Sequence, residues 1–325
     1  MSAIDPLQEV ARRYVVAVTP TIGALIDSAD PFDPIALQFL PDARELLTTP
    51  EERTDPIGDD THTPVEGVVH RYPDRALLKP VHVCPAYCRF CFRREMVGPN
   101  KRATLSKPSL DAALDYIATH SEIWEVILTG GDPFLLSPRR ARQITQRLAA
   151  IEHVKVIRWH TRVPVVDPGR VTPAFVRAIR AEKAVYVALH ANHPRELTPE
   201  ARAACARLID YGLPMLSQSV LLRGVNDNIE TLTALMRAFV ETRIKPYYLH
   251  HPDLAPGTSH FRMSLAEGQA LALALRDKVS GLCQPTYVLD IPGGVSKAMA
   301  SASEVDIRDG VCAVRGRDGA WRPYP

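Results

Sequence analysis

From about residue 75 onward, the chain alternates short apolar runs with longer amphipathic segments. The short runs are rich in β-branched and aromatic residues, which favours strands. In the longer segments, apolar residues recur at helical spacing, and several begin with a Ser, Thr or Asn that can cap a helix. The pattern predicts strands at 76–83, 125–129, 154–161, 184–190, 214–222, 245–250 and 286–289, and helices at 110–120, 138–151, 172–181, 198–211, 228–241 and 264–279.

This alternation predicts an α/β fold of repeated βα units around a parallel sheet. Six or so repeats indicate a full or partial barrel of the (β/α)6 type, with its active site at the C-terminal ends of the strands. Polar residues and a glycine turn follow the predicted strands at that edge: Cys84, Gly130, Arg162, His190, Asp253 and Asp290. Their shared position predicts one convergent site.

The two ends of the chain follow a different pattern. Between Pro20 and Pro56, prolines interrupt short apolar pieces and acidic runs. We therefore expect a partly helical N-terminal cover over residues 1–65, a catalytic barrel over 66–300 and a short C-terminal extension over 301–325.

The composition argues against a nucleic-acid-binding, membrane or secreted protein. The 325 residues include 39 Lys and Arg against 37 Asp and Glu, giving a formal net charge of +2. This balance argues against a protein that binds a nucleic-acid backbone by bulk charge. No apolar stretch reaches about 18 residues, and the N-terminus lacks the pattern of a secretory signal. We expect a soluble, cytoplasmic protein without a membrane or nucleic-acid partner.

Three of the six cysteines, Cys84, Cys88 and Cys91, lie within eight residues at the spacing C-x3-C-x2-C. Such a density favours a metal site over a disulfide framework. Thiolates suit both zinc and iron–sulfur clusters. The alternatives to an iron–sulfur site are a zinc knuckle that borrows a distant cysteine and a chance grouping of cysteines. A structural zinc site normally has four ligands, whereas three thiolates leave one iron of a four-iron cluster open. Cys205, Cys283 and Cys312 are expected to be structural.

At this loop the sequence resembles the radical S-adenosylmethionine (SAM) superfamily, in which the open iron binds the amino and carboxylate groups of SAM. Tyr87, just before the second cysteine, fits that resemblance. The segment 130–133 (GGDP) resembles the superfamily's glycine-rich turn after the second strand, which implies that Gly130, Gly131 and Asp132 lie against SAM. Taken alone, such a segment is an ordinary turn.

A lysine, Lys297, follows a glycine turn near the end of the predicted barrel. Alone it would be interpreted as a surface lysine after a loop. However, the chain from Arg71 to Lys297 resembles the lysine 2,3-aminomutase family. The matching motifs are 71–75 (RYPDR), the cysteine loop followed by Arg93 and Arg94, 130–132 (GGD), 172–173 (TP), 190–194 (HANHP), 218–227 (QSVLLRGVND), 246–248 (PYY) and 290–297 (DIPGGVSK).

The resemblance implies a role for each matching residue. Lys297 would carry pyridoxal 5′-phosphate (PLP) covalently, and Arg71 and Arg75 would lie in its phosphate-binding region, where arginine supplies a planar fork of donors. His190 and Gln218 match positions near SAM. The substrate would be bound through its α-carboxylate and its ε-ammonium by Arg93, Asp253 and Asp290.

The implied activity is that of a short-form L-lysine 2,3-aminomutase, an isomerase that interconverts L-lysine and β-lysine by a 5′-deoxyadenosyl-radical 1,2-amino shift on PLP. It would need a [4Fe–4S] cluster, SAM and an electron donor such as flavodoxin or ferredoxin. The alternatives are a mutase of the elongation factor P β-lysylation pathway, a mutase for another amino acid such as glutamate or arginine, or an iron–sulfur electron-transfer or scaffold protein that has lost catalysis.

Three features depart from the longer family members. Asn228 stands where they have a zinc-ligating cysteine, and Val295 and Ser296 replace part of a glycine run. Their C-terminal cysteine group also has no match here. We therefore expect no structural zinc, and self-association into a homo-oligomer stays open.

Overall fold

A nine-stranded sheet forms the centre of the protein in the computed structural model, which describes residues 5–98, 102–301, 303–308, 311–316 and 319–324. The strands lie side by side in chain order, from β1 to β9. Seven of them, β2 to β8, are parallel, whereas β1 and β9 run antiparallel at the two ends. Their bounds are β1 Val68–Tyr72, β2 Arg75–Val81, β3 Glu125–Gly130, β4 Val156–Thr161, β5 Ala184–His190, β6 Met215–Val220, β7 Ile244–His250, β8 Thr286–Asp290 and β9 Lys297–Met299.

Helices connect the parallel strands. They are α4 Lys107–Thr119, α5 Pro138–Ala150, α6 Val163–Val166, α7 Pro173–Ile179, α8 Pro199–Asp210, α9 Ile229–Glu241 and α10 Leu265–Lys278, after three short N-terminal helices, α1 Pro6–Arg13, α2 Pro20–Gly23 and α3 Pro34–Phe39. The long helices begin at side-chain caps, as the sequence suggested. Ser137, for example, accepts a hydrogen bond from the Arg140 amide, and Thr198 accepts one from the Ala201 amide.

All seven predicted parallel strands and all six predicted helices are present, and the partial α/β barrel is confirmed. The ends differ by a few residues. Helix α4 begins at Lys107 rather than 110 because Ser106 caps it and Pro108 is accepted in its first turn. The prediction missed β1 because only Pro73 and Asp74 separate it from β2, and it missed β9 because that strand is so short.

The core lies between the sheet and the helices. Phe134, Trp159 and Phe175 pack together with ring centroids 4.7 to 6.3 Å apart. Ile22 and Phe39 from the N-terminal segment are fully buried in the same core. Burial of such a side chain contributes roughly 1.5–3 kcal/mol, so this segment is an integral part of the packing.

Side chains join the two ends of the sheet around its interior. Arg71 in β1 donates to Asp290 in β8, and Tyr72 in β1 accepts from the Lys297 amide in β9. The C-terminal residues form a separate antiparallel sheet, which the sequence did not predict, of β10 Val305–Arg308, β11 Val311–Arg315 and β12 Trp321–Tyr324. Within the described ranges, no helix has the length and apolar character needed to cross a bilayer.

Candidate active site

A cavity of about 440 Å³ lies inside the curved sheet. It extends from the C-terminal ends of the parallel strands, where the cysteine loop lies, towards the start of β2 and β3. Its lining brings together every site residue that the sequence predicted: Arg71, Arg75, Cys84, Cys88, Cys91, Arg93, Gly130, Gly131, Asp132, His190, Gln218, Asp253, Asp290 and Lys297.

The glycine turn after β3 supports the base of the cysteine loop. The Gly131 amide donates to the Val81 carbonyl at 2.7 Å, and the Asp132 amide donates to the Val83 carbonyl at 3.0 Å. A Cβ at Gly131 would lie 2.3 Å from the Val83 oxygen, and Gly130 has a φ of 105°. Glycine is therefore needed so that two backbones can approach each other. Contact of this turn with SAM stays a prediction.

The three thiols of the cysteine loop line one wall of the cavity. Burial, with a further contribution from Cys88, raises the pKa of Cys91 to about 11, and burial raises the pKa of Cys84 as well. Both thiols therefore favour the protonated form until a metal compensates their charge.

In the described part of the chain, no three metal-ligating side chains converge as ligands of a single ion would. A four-iron cluster is larger than one ion, and each of its thiolates binds a different iron, so its ligands need not meet at one point. Three thiols without a fourth fit such a cluster.

The Asp132 carboxylate is held by the protein itself. It accepts hydrogen bonds from the Thr161 hydroxyl and the Arg162 amide, each at 2.7 Å, and from the Phe134 amide at 3.0 Å. Burial raises the pKa of this carboxyl group. Asp132 thus fixes the ends of β3 and β4 relative to each other, in addition to lining the cavity.

Lys297 is paired with an aspartate across two strands. It is the first residue of β9 and lies opposite Asp290 in the register with β8, and its Nζ donates to the Asp290 carboxylate. Arg71 donates to the other oxygen of Asp290 at 3.0 Å and to the Ile57 carbonyl at 2.9 Å. Burial alone would raise the pKa of Asp290, but Lys297 and Arg71 hold it below its ordinary value. The negative charge of the Asp290 carboxylate is thus compensated by Lys297 and Arg71.

The turn before Lys297 packs against the segment 56–58. Gly293 and Gly294 have φ values of 86° and 80°, in the left-handed region that favours glycine. The Gly293 amide donates to the Pro56 carbonyl at 3.2 Å, and a Cβ at Gly294 would lie 2.7 Å from the Ile57 oxygen. The turn thereby places Lys297 at the cavity.

Arg93 is buried beside a carboxylate that the sequence analysis did not identify. Its Nε donates to Asp59 at 2.8 Å, and its Nη1 donates to the Thr129 hydroxyl at 3.4 Å. Lys79 lies 3.7 Å from the same Asp59 oxygen. Burial would raise the pKa of Asp59, yet Arg93 and Lys79 keep it low. The only sequence signal was the acidic pair Asp59 and Asp60 in the N-terminal segment.

Asp253 and His250 lie in strongly desolvated positions near Lys297. Burial and the Asp290 charge raise the pKa of Asp253 to about 7. Burial and the Lys297 charge lower the pKa of His250 to about 3. The cavity therefore disfavours both an uncompensated carboxylate at Asp253 and a further cation at His250.

The remaining predicted residues line the cavity from other strands, Arg75 from β2, His190 from β5 and Gln218 from β6. Arg75 lies over the Tyr72 ring, 3.8 Å from its centroid, and pairs with Asp74 at 2.7 Å. His190 stacks on Phe90 with centroids 5.7 Å apart and lies opposite Gln218 in the register between β5 and β6. Arg162, which the strand pattern had placed at this edge, also lines the cavity. Further cavity residues that the sequence analysis did not assign to the site are Asp59, Glu125, Thr129, Arg158, His160, Tyr247, Tyr248 and His250.

Comparison with known proteins shows which proteins the chain is similar to. A family model for the radical SAM superfamily matches residues 78–236. L-lysine 2,3-aminomutase of Acetoanaerobium sticklandii is 42% identical over 282 residues, which cover 87% of this chain and 68% of that protein. Glutamate 2,3-aminomutase of Clostridioides difficile is 35% identical over 291 residues, which cover 90% and 68%.

Similarity to solved structures concerns the fold alone. A structure of native anSMEcpe with bound AdoMet and Kp18Cys peptide superimposes with a TM-score of 0.50 at 14% sequence identity. The superposition covers 64% of this chain and 60% of that one.

Proposed function

The chain belongs to the lysine 2,3-aminomutase family of radical SAM enzymes, and on that premise we propose that it interconverts L-lysine and β-lysine with PLP bound at Lys297. Family membership makes it an isomerase with a [4Fe–4S] cluster and SAM. The observation that carries the proposal is the shared cavity, in which the three cysteines and Lys297 line the same space.

The cysteine loop is the place for the cluster. Cys84, Cys88 and Cys91 would supply three thiolates and leave one iron for SAM. Cluster and SAM, when bound, supply a carbon radical that can remove hydrogen from an unactivated carbon of the substrate. The protein's part is to position the substrate and to exclude water and other hydrogen donors, for which apolar wall residues such as Val69, Leu77 and Ile127 are suited.

Lys297 and the arginines of β1 and β2 would hold PLP. The Lys297 Nζ donates to Asp290 inside the cavity, which keeps it close to where a cofactor aldehyde would lie. Arg71 and Arg75 line the same cavity and offer donors for the phosphate. Bound PLP supplies a conjugated system that can carry the migrating amino group.

Lysine is the substrate that the charges of the cavity favour. Arg93 would bind the α-carboxylate, and Asp59 would hold its guanidinium in place by accepting a hydrogen bond from its Nε. The charges of Lys297, Arg93 and Arg71 do not outweigh the desolvation of Asp253 and the charge of Asp290, so its pKa stays raised, and a substrate ammonium would stabilise its carboxylate. Asp290 can bind the same ammonium group once Lys297 no longer donates to it. A glutamate side chain would instead meet two carboxylates, which is costly in a buried site.

A competition assay tests the proposal. The anaerobically reconstituted, reduced protein is given equal amounts of L-lysine, L-arginine, L-glutamate and L-alanine, and the β-amino acid products are separated. Lysine should react fastest. Asp253→Asn should slow lysine turnover while iron and PLP contents stay unchanged, and Cys205→Ser, a change in the core, is the matched control. Faster turnover of glutamate or alanine would overturn the assignment of lysine.

A further inference from the structure

One buried arginine donates directly to a cysteine of the cluster loop. We propose that Arg162 sets the reduction potential of the cluster by donating a hydrogen bond to the Cys88 sulfur. Arg162 follows β4, outside the C-x3-C-x2-C motif, and the distance from its Nη1 to Cys88 Sγ is 2.8 Å. The inference uses the cluster that family membership implies and does not depend on the identity of the substrate.

The surroundings of Arg162 fix its guanidinium in place. Its Nη2 donates to Gln38 Oε1 at 2.6 Å and to Glu196 Oε2 at 2.7 Å, and its backbone amide donates to Asp132. The Phe39 ring lies 4.4 Å from the guanidinium carbon. The donor is therefore preorganised and need not reorient when the charge on the cluster changes.

The other arginines near the loop are engaged differently. Arg89 and Arg94 donate to Glu45, and Arg93 donates to Asp59 and Thr129. Arg162 thus combines a positive charge with a direct donor to sulfur in the described structure, which distinguishes it from these three.

Such a donor has a defined electrostatic effect. When the cluster accepts one electron from an external one-electron carrier, its negative charge increases, and a charged donor to a ligating sulfur stabilises that reduced form. The effect is large because the site is buried and poorly screened. Arg162 should therefore raise the midpoint potential and make reduction easier. It acts through Cys88 and is a positioning residue rather than a catalytic one.

The test isolates Arg162 from its carboxylate partner. Arg162→Gln alone would leave Glu196 buried without its cation. The comparison is therefore between Glu196→Gln and the double variant Arg162→Gln/Glu196→Gln. The double variant leaves no unpaired charge at this position. The matched control compares Glu125→Gln with the double variant Arg158→Gln/Glu125→Gln. Arg158 is another buried guanidinium that donates to a glutamate but not to a cluster sulfur in the described structure, and this double variant also leaves no unpaired charge. Each reconstituted protein is titrated anaerobically with dye mediators, without SAM or substrate, and the reduced cluster is followed by electron paramagnetic resonance.

We expect equal iron contents in all proteins. At the potential where the cluster of Glu196→Gln is half reduced, the ratio of reduced to oxidised cluster in the double variant should be about tenfold lower. For a one-electron couple, this ratio corresponds to a midpoint potential that is 59 mV lower. The midpoint potential of Arg158→Gln/Glu125→Gln should stay close to that of Glu125→Gln. A double variant whose midpoint matches that of Glu196→Gln would overturn the proposal. A folded double variant that binds no iron would also overturn it, because Arg162 would then act on assembly of the site rather than on its potential.

Discussion

Replacing Glu45 by alanine should strongly destabilise the protein, because one carboxylate compensates two buried arginines. Glu45 has no exposed surface and accepts from Arg89 Nε at 2.9 Å, from a second Arg89 nitrogen and from Arg94. The side chains of Arg89 and Arg94 are 2% and 4% exposed. Removing one partner of a buried ion pair costs about 3–5 kcal/mol, since the other charge stays buried and unpaired. With two cations left, the upper half of that range is expected.

The assay is equilibrium unfolding in urea, followed by circular dichroism, of wild type, Glu45→Ala and Glu230→Ala. Glu230 is the control because its pair with Lys278 is exposed, at 73% and 45%, and exposed pairs contribute little to stability. Glu45→Ala should also bind less iron, because Arg89 and Arg94 flank Cys91. A free energy of unfolding for Glu45→Ala within about 1 kcal/mol of the Glu230→Ala value would refute the reasoning.

Three further predictions concern the site. Borohydride reduction of the PLP-loaded protein should attach the pyridoxyl group to Lys297, and peptide mapping that finds it on Lys183 or Lys278 would contradict this assignment. Ser in place of Cys84, Cys88 or Cys91 should lower bound iron and abolish activity, whereas Cys205→Ser should keep both. Because Asp253 has a pKa near 7 without substrate, its ionised form is lost as the pH falls below 7, so lysine affinity should drop roughly tenfold per pH unit there. Asp253→Asn should remove that dependence; an unchanged pH profile would exclude Asp253 as its origin.

Periodicity was a good guide to the regular part of the fold. The parallel strands and long helices carry repeating apolar positions and capping residues, so each could be predicted from a local window. The strands β9 to β12 could not, because they are short and depend on pairing with other strands, and β1 was missed because only two residues separate it from β2. Strand β9, for example, exists through its pairing with β8.

The site shows the same division between local and long-range information. Lys297 and the three cysteines belong to compact motifs that a single sequence displays. In contrast, Arg93 and Asp59 are 34 residues apart, Arg89 and Glu45 are 44 apart, and Arg162 and Cys88 are 74 apart. Such pairs have no local signal, because they meet only when the chain folds. The sequence therefore predicted the motif residues that line the cavity, but it predicted neither Asp59 as the partner of Arg93 nor the pairing of Lys297 with Asp290.

The most direct test of the central claim follows the substrate nitrogen. The reduced, fully reconstituted protein is incubated with L-lysine that carries ¹³C at C3 and ¹⁵N on its α-amine, and the product is examined by nuclear magnetic resonance. The proposed function predicts β-lysine in which the ¹⁵N is bonded directly to the ¹³C3 atom, and no such product with Lys297→Ala. Cleavage of SAM without migration of the labelled nitrogen, in a preparation with full iron and PLP, would contradict it.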